Sequence, residues 1–303
     1  MPRKKEAIPD QSENNPKAKK LEKDIDKKVK VDYKIYPPRK EEDFVKIDRE
    51  LHPFYASMFE KNGAVLFIAA PPGSGKTSYI SNLLGREEYF KDLFEAGVFV
   101  CSPTIHNDIG AGVIRAVADH MEDDFSEEYA KNIFKILSGD EDDSDDEGNG
   151  LACILFDDCM GAFKQNTFVG RLCSMCRHLK SVIMFSNQRV VGVPSGIRAN
   201  ISHSVTYNQP SAKEFGALLD LHSAFGGEDN FIQMYNEACS VRYGALLCDF
   251  RNMIAYKQIP DTGEIVELYR RYNEDGSIND NKMMTKEGLQ HSTTDKIDNN
   301  KNV

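Results

Sequence analysis

An α/β fold with a mostly parallel sheet, covered by helices on both faces, is what this chain predicts. Three observations predict it. Apolar runs of strand length recur between residues 65 and 207 and alternate with helical patterns, as expected of strands buried on both faces. The first run leads into a glycine-rich turn that opens a helix. A later run ends in two carboxylates, Asp157 and Asp158.

Val65 to Ala69 is the first strand. The turn Ala70-Pro71-Pro72-Gly73-Ser74-Gly75 follows, and Lys76-Thr77-Ser78 opens a helix that runs through Ile80, Leu83 and Leu84 to about Gly85. This is a P-loop. Its glycines let the backbone approach a phosphate and turn several N–H groups inward. The helix N-terminus adds the positive end of its dipole. Lys76 then reaches the β- and γ-phosphates of ATP, and the Thr77 hydroxyl holds Mg²⁺. Ala70 departs from G-x-x-x-x-G-K-[ST] at its first position, and it fits that turn with a negative φ. Gly97 to Ser102 is the second strand. A helical pattern runs from Ile114 to Met121, and another from Tyr129 to Leu137. Leu151 to Phe156 is the third strand, Phe168 to His178 a helix, Ser181 to Phe185 the fourth strand and Ser202 to Tyr207 the fifth. After Pro210 come helices over Ala212–Phe225 and Asn230–Cys239, then a late strand over Tyr243–Phe250.

Four regions follow from these patterns. Residues 1–30 carry ten Lys/Arg against six Asp/Glu and read as a disordered basic arm. Pro2-Arg3-Lys4-Lys5 reads as a solvated tail before a localisation tag. Residues 31–63 form a lead-in, 64–272 a P-loop ATPase domain, and 273–303 a disordered polar tail. The net charge is −10, but seven carboxylates crowd Asp140–Glu147. That balance argues against a protein that grips DNA statically through many phosphates. A motor touching DNA through a few loops stays open. No apolar run approaches the ~18 residues of a membrane span, and no apolar stretch behind the N-terminal charges reads as a secretory signal. Seven cysteines, several inside apolar runs, read as reduced, buried thiols of an intracellular protein.

A P-loop alone indicates a nucleotide, not a reaction. Cys153-Ile154-Leu155-Phe156-Asp157-Asp158 is an apolar strand ending in carboxylates, the Walker B arrangement. Asp157 completes the Mg²⁺ shell. Asp158 polarises the attacking water, which favours hydrolysis over phosphoryl transfer to a small-molecule hydroxyl. Val182 to Phe185 leads into Ser186-Asn187-Gln188. An amide at the end of an additional strand senses the γ-phosphate or orients the water, with Gln188 ahead of Asn187. Arg171, Arg177, Arg189 and Arg198 are the cations from which an arginine finger would come, a device worth ~10³–10⁵ in rate. Cys173-x-x-Cys176-x-His178 falls short of the four ligands of a structural zinc site. Phe54, Tyr55 and Phe59 read as packing residues before adenine stackers.

Together these residues resemble the DNA-packaging ATPases of large double-stranded DNA viruses and their virophages, the poxvirus-type branch of the FtsK–HerA superfamily. The matching pieces are Asn62 to Ile68 leading into Pro71-Pro72-Gly73-Ser74-Gly75-Lys76-Thr77-Ser78, then Val98 to Pro103, then Ile154 to Asp158. Cys176-Arg177-His178, Ser181-Val182-Ile183, Gln188 and Ile197-Arg198-Ala199-Asn200 complete the order. The resemblance covers about residues 45–250. It implies a RecA-like P-loop core of the additional-strand type with strand order 5-1-4-3-2. It also implies a homo-oligomeric ring that hydrolyses ATP with Mg²⁺ and pumps double-stranded DNA into a capsid. Arg177 is the first choice for a finger acting on a neighbouring subunit and Arg198 the second. Capsid or portal proteins are the further partners implied, and the viral factory of the host cytoplasm, or the virion, the location. The alternative function is a nucleotide-dependent scaffold or switch in virion assembly with little turnover. The acidic run is no feature of the resemblance and reads as a surface insertion before the third strand.

Overall fold

The computed structural model describes residues 45–139, 150–163, 168–273 and 275–279. The basic arm, the acidic run 140–147 and the tail beyond residue 279 lie outside the described residues. The lead-in contributes a short helix, α1 (Pro53–Ala56). Then come β1 (Ala64–Ala69), α2 (Lys76–Gly85), β2 (Gly97–Cys101), α3 (Gly112–Val117), β3 (His120–Glu122) and α4 (Glu127–Ser138). The second half holds β4 (Ala152–Asp157), α5 (Phe168–Met175), β5 (Ser181–Asn187), α6 (Ser195–Arg198) and β6 (His203–Tyr207). Two helices, α7 (Ala212–His222) and α8 (Glu228–Ala238), precede β7 (Ala245–Asp249), β8 (Ile254–Gln258) and β9 (Ile265–Arg270).

The strands form one sheet in the order β3-β2-β4-β5-β1-β6-β7-β8-β9. From β3 to β6 every pairing is parallel; from β6 to β9 every pairing is antiparallel. The five strands expected from sequence, taken alone, run 5-1-4-3-2 in a RecA-like P-loop arrangement. The sheet carries β3 at one edge and, at the other, β7, the late strand expected over Tyr243–Phe250, followed by β8 and β9. Residues alternate faces along each strand. Leu66 and Ile68 pack with Phe54, Ile80, Leu83 and Ile114 from α1, α2 and α3. Val65 and Phe67 pack on the opposite face with Ile133, Leu172, Leu218 and Phe231 from α4, α5, α7 and α8. Burial of each such side chain contributes about 1.5–3 kcal/mol.

Two boundaries shift for physical reasons. The helix expected through Met121 stops at Val117, where Ala118 turns extended. The Asp119 carboxylate then accepts the Val98 N–H at 2.8 Å and draws the chain onto the sheet edge as β3. The helix expected through His178 ends at Met175, because Ser181 N–H bonds the Cys176 carbonyl at 2.8 Å and returns the chain to the sheet. β8 and the edge strand β9 are further strands, half-polar and without the continuous apolar run of the core. By contrast α4 starts where its cap requires, with Ser126 Oγ accepting the Tyr129 N–H at 3.0 Å and Glu127 and Glu128 in the first turn.

Phe54, Tyr55 and Phe59 are at most 2% exposed and are packing residues of the α1 side. All seven cysteines are free, and all but the half-buried Cys239 are buried. Among the described residues no helix is long and apolar enough to cross a membrane.

Two expectations test this packing. A Cβ on Gly63 would lie 2.5 Å from the Ser181 carbonyl oxygen and 2.6 Å from that of Cys176. Backbone cannot yield there as a side chain would, so Gly63→Ala should lower stability by about 3 kcal/mol in denaturant titration. His222 is fully buried, with Nδ1 donating to the Leu218 carbonyl at 2.9 Å and Nε2 accepting from Ser204 Oγ at 2.8 Å. Burial pushes its pKa down to about 4. The unfolded chain takes up this proton near the ordinary histidine value and the folded chain only near 4. The stabilising difference is therefore complete above pH 6.5 and lost as pH falls toward 4, on the order of 3 kcal/mol. The unfolding midpoint of His222→Gln should fall less steeply over that window.

Candidate active site

The P-loop spans the C-terminal end of β1 and the start of α2. Ala70 is fully buried and its N–H continues the β1–β5 ladder to the Asn187 carbonyl at 3.0 Å. Its φ is not positive, so the methyl group is tolerated where many P-loops carry glycine. Left-handed backbone is confined to Gly73 and Gly75, at φ of 75° and 92°. Ser74 Oγ donates to the Pro71 carbonyl at 2.6 Å and closes the turn. The first N–H groups of α2 then face a cleft of about 550 Å³ bordered by Pro71 to Tyr79. Orphan donors at a helix start suit an anion.

Lys76 is the centre of the charged cluster. Its Nζ lies 2.9 Å from Asp157 Oδ1 and 2.7 Å from Asp158 Oδ2. The three side chains are only 12–18% exposed, so the charges act with little solvent screening. Burial pulls the Lys76 ammonium down, and Asp157 and Asp158 together outweigh it and leave its pKa above the ordinary lysine value. An ammonium has three donors; one bonds Asp158 Oδ2, Asp157 Oδ1 is held at ion-pair distance, and donor capacity is left for a phosphate oxygen. Gln188 Nε2 donates to the same Asp158 Oδ2 at 2.9 Å. Its neighbour Asn187 turns its amide away, onto the Arg189 carbonyl. Asp158 itself has φ of 52°, uncommon for a residue with a side chain.

A recess beside this cluster gathers oxygen donors. Thr77, Ser102, Asp108 and Asp157 line it together. The Thr77 hydroxyl donates to Asp108 Oδ2 at 2.7 Å, which leaves its lone pairs for a cation. Ser102 Oγ donates to Asp157 Oδ2 at 2.9 Å and fixes that carboxylate. The other walls of the recess are largely aliphatic, among them Ile80, Ile105 and Leu155, and its oxygen groups are the kind that suit a hard ion such as Mg²⁺.

Sequence reasoning had not singled out Ser102, Asp108 or Glu214. Ser102 and Asp108 follow β2, at the strand ends where α/β sheets gather ligands, and that position was their signal. Glu214 has none in sequence. Its carboxylate accepts from Val190 N–H at 2.6 Å, Val191 N–H at 2.8 Å and Arg189 Nε at 3.4 Å. Burial raises its pKa, and these donors outweigh it and leave the group below the usual carboxylate range. The loop that carries Gln188 is thereby tied to α7.

The remaining arginines lie elsewhere. Arg171 stacks over Phe134 and Phe168 at 5.1 and 5.4 Å. Arg177 sits in the turn entering β5, directly after Cys176, whose carbonyl borders Gly63 ahead of β1. Arg198 ends α6 shortly before β6, where Ser202 N–H meets the Val65 carbonyl at 3.0 Å. Arg177 and Arg198 thus belong to the edge where the parallel strands begin. Lys76, Thr77, Asp157, Asp158 and Gln188 belong to the edge where they end.

No curated protein sequence matches the chain. Among solved structures, B204, the DNA-packaging ATPase from Sulfolobus turreted icosahedral virus, superposes with a TM-score of 0.46 at 12% identity, over 65% of this chain and 97% of that one. The genome packaging NTPase B204 from Sulfolobus turreted icosahedral virus 2, in complex with ATP-gammaS, gives 0.46 at 12% identity over 66% and 98%. The cytoplasmic domain of the Type VII secretion ATPase EccC from Thermomonospora curvata gives 0.43 at 11% identity over 76% of this chain and 28% of that one. The sequence profile of the family described as Poxvirus A32 protein matches residues 52–245, from α1 to the start of β7. The chain belongs to the Poxvirus A32 protein family.

Proposed function

We propose that this protein is a Mg²⁺-dependent ATPase that drives double-stranded DNA into a viral capsid. The observation that carries the reading is the convergence of Lys76 and Gln188 on the Asp157–Asp158 pair beside a P-loop. Backbone N–H groups from Gly73 to Ser78 cradle the phosphates, and Lys76 neutralises charge at the γ-phosphate. Thr77 and Asp157 would hold Mg²⁺, with Ser102 and Asp108 orienting them, and the ion would supply neutralisation of phosphate charge. Asp158 accepts the proton of the attacking water. Gln188, already bonded to Asp158, orients that water. The bond to the γ-phosphorus forms from the water oxygen as the bond to the bridging oxygen of ADP breaks.

Each of these groups comes from a single chain, and a further cation at the γ-phosphate comes from a neighbouring copy. Arg177, then Arg198, is the residue assigned to that role, because both stand apart from their own site. This reading requires a ring, and a ring encircling DNA gives hydrolysis its mechanical output. Capsid or portal proteins would dock such a ring in the viral factory of the host cytoplasm or on the virion.

Steady-state hydrolysis with and without double-stranded DNA tests the proposal. Turnover should rise with DNA, and Asp158→Asn should retain ATP binding while losing at least about 10²-fold in kcat. Lys76→Ala should abolish ATP binding. Tight ATP binding with no turnover under any condition would instead favour a nucleotide-dependent scaffold. Ser102→Ala, which frees Asp157, should raise the Mg²⁺ concentration for half-maximal turnover by about tenfold. Mixing Asp158→Asn with Arg177→Ala subunits should restore activity if Arg177 acts between copies, whereas strictly additive loss would exclude it.

A further inference from the structure

The cleft does not end at the P-loop. It runs on to the antiparallel part of the sheet, where Tyr243, Gln258 and Pro260 form its far wall. Tyr243 lies in the connection from α8 to β7, Gln258 ends β8, and Pro260 opens the turn to β9. We propose that this wall is the base subsite of the nucleotide, with the Tyr243 ring stacking on adenine and the Gln258 amide pairing with its edge. The inference rests on the nucleotide reading above and says what that reading leaves open, namely what holds the end of ATP remote from the phosphates.

Four observations carry it. Tyr243 is 45% exposed, an unusual position for a large aromatic side chain beside a cleft whose other tyrosines, Tyr79 and Tyr207, are buried. It is held in that position at φ of 65°, a backbone conformation rare for bulky residues and concentrated at functional sites. Its pose is fixed from two sides. The Arg242 guanidinium sits 4.8 Å from the ring centroid, and Cδ1 lies 3.5 Å from where a Cβ on Gly75 would stand. The ring therefore borders the residue immediately before Lys76. The Gln258 side chain makes no hydrogen bond among the described residues and lines the same cleft. A glutamine amide offers one donor and one acceptor face, the pattern that pairs bidentately with adenine.

The geometry also explains why β7 to β9 extend the parallel core on the side of β6. β6 and β1 are neighbours, so strands added beyond β6 carry their end loops toward the P-loop rather than toward Asp157. The phosphates are met by the parallel half of the sheet and the base by the antiparallel half. The aromatic residues that precede β1 in sequence, Phe54, Tyr55 and Phe59, are sealed in the core and take no part.

Binding of Mg²⁺–ATP, Mg²⁺–GTP and inorganic tripolyphosphate, measured by calorimetry, tests the subsite. Tyr243→Asn keeps a residue that tolerates positive φ and removes the ring. It should weaken ATP by about tenfold or more while tripolyphosphate binds as to the wild type. Tyr243→Phe should restore wild-type ATP affinity. Gln258→Ala should reduce the preference for ATP over GTP. ATP affinity unchanged in Tyr243→Asn, or an equal loss for ATP and tripolyphosphate, would overturn the base subsite and leave the nucleotide reading intact. Failure of the wild type to bind either ATP or tripolyphosphate would overturn both.

Discussion

Lys76 joins the start of α2 to the end of β4 through contacts of 2.9 and 2.7 Å with two adjacent carboxylates. Three charges in a largely buried position are costly unless each is paired. The pairing is available only if β4 and β1 stand at one fixed distance, and the sheet sets that distance by placing β5 between them. The same arrangement delivers Gln188, the residue after β5, into the gap between the P-loop and Asp158. Strand order, lysine position and amide position are thus one constraint. An exchange of β5 with either neighbour would set β4 directly beside β1 and take Gln188 out of the gap between them.

The opposite edge of the sheet carries a second polar centre with a different task. His203 is fully buried, with Ser57 Oγ 2.7 Å from Nε2 and Ser202 Oγ 3.0 Å from Nδ1. Burial holds its pKa well below the usual histidine value, against the pull of Asp249. Arg251 donates to the Ser57 carbonyl at 2.9 Å and to that of Gly63. The turn after β7 is therefore tied to the segment that enters β1. Asp249 closes this turn by accepting the N–H groups of Arg251 and Asn252 at 2.8 and 3.0 Å. The lead-in from α1 and the antiparallel extension are locked to each other at one edge, which fixes the strand whose other end is the P-loop.

How much was legible in sequence follows from how local each signal is. The P-loop, the Asp157–Asp158 strand end and Gln188 are each written in contiguous residues, and the fold brings them together. The five parallel strands were legible because burial on both faces demands continuous apolar runs. β3, β8 and β9 were not, because strands at or beside the sheet's edges mix polar and apolar residues and their pairing is decided by tertiary contacts such as Asp119 with Val98. Ser102, Asp108, Glu214 and Tyr243 were missed for a related reason. Each reaches the site from a separate segment, and only folding brings that segment near.

Asp158 shows how the two levels meet. At φ of 52° it departs from the strand it terminates, at a cost on the order of 1–3 kcal/mol. Had Asp158 continued β4 as a regular strand residue, its side chain and that of Asp157 would point to opposite faces, and one lysine could not reach both. The left-handed turn brings the two carboxylates to the same side, where Lys76 and Gln188 meet them. The strain is balanced by the Asp158 N–H bond to the Ser186 carbonyl at 2.8 Å and by the charge contacts themselves. A single backbone excursion at the end of one strand therefore gathers two acidic groups around one cation beside the P-loop.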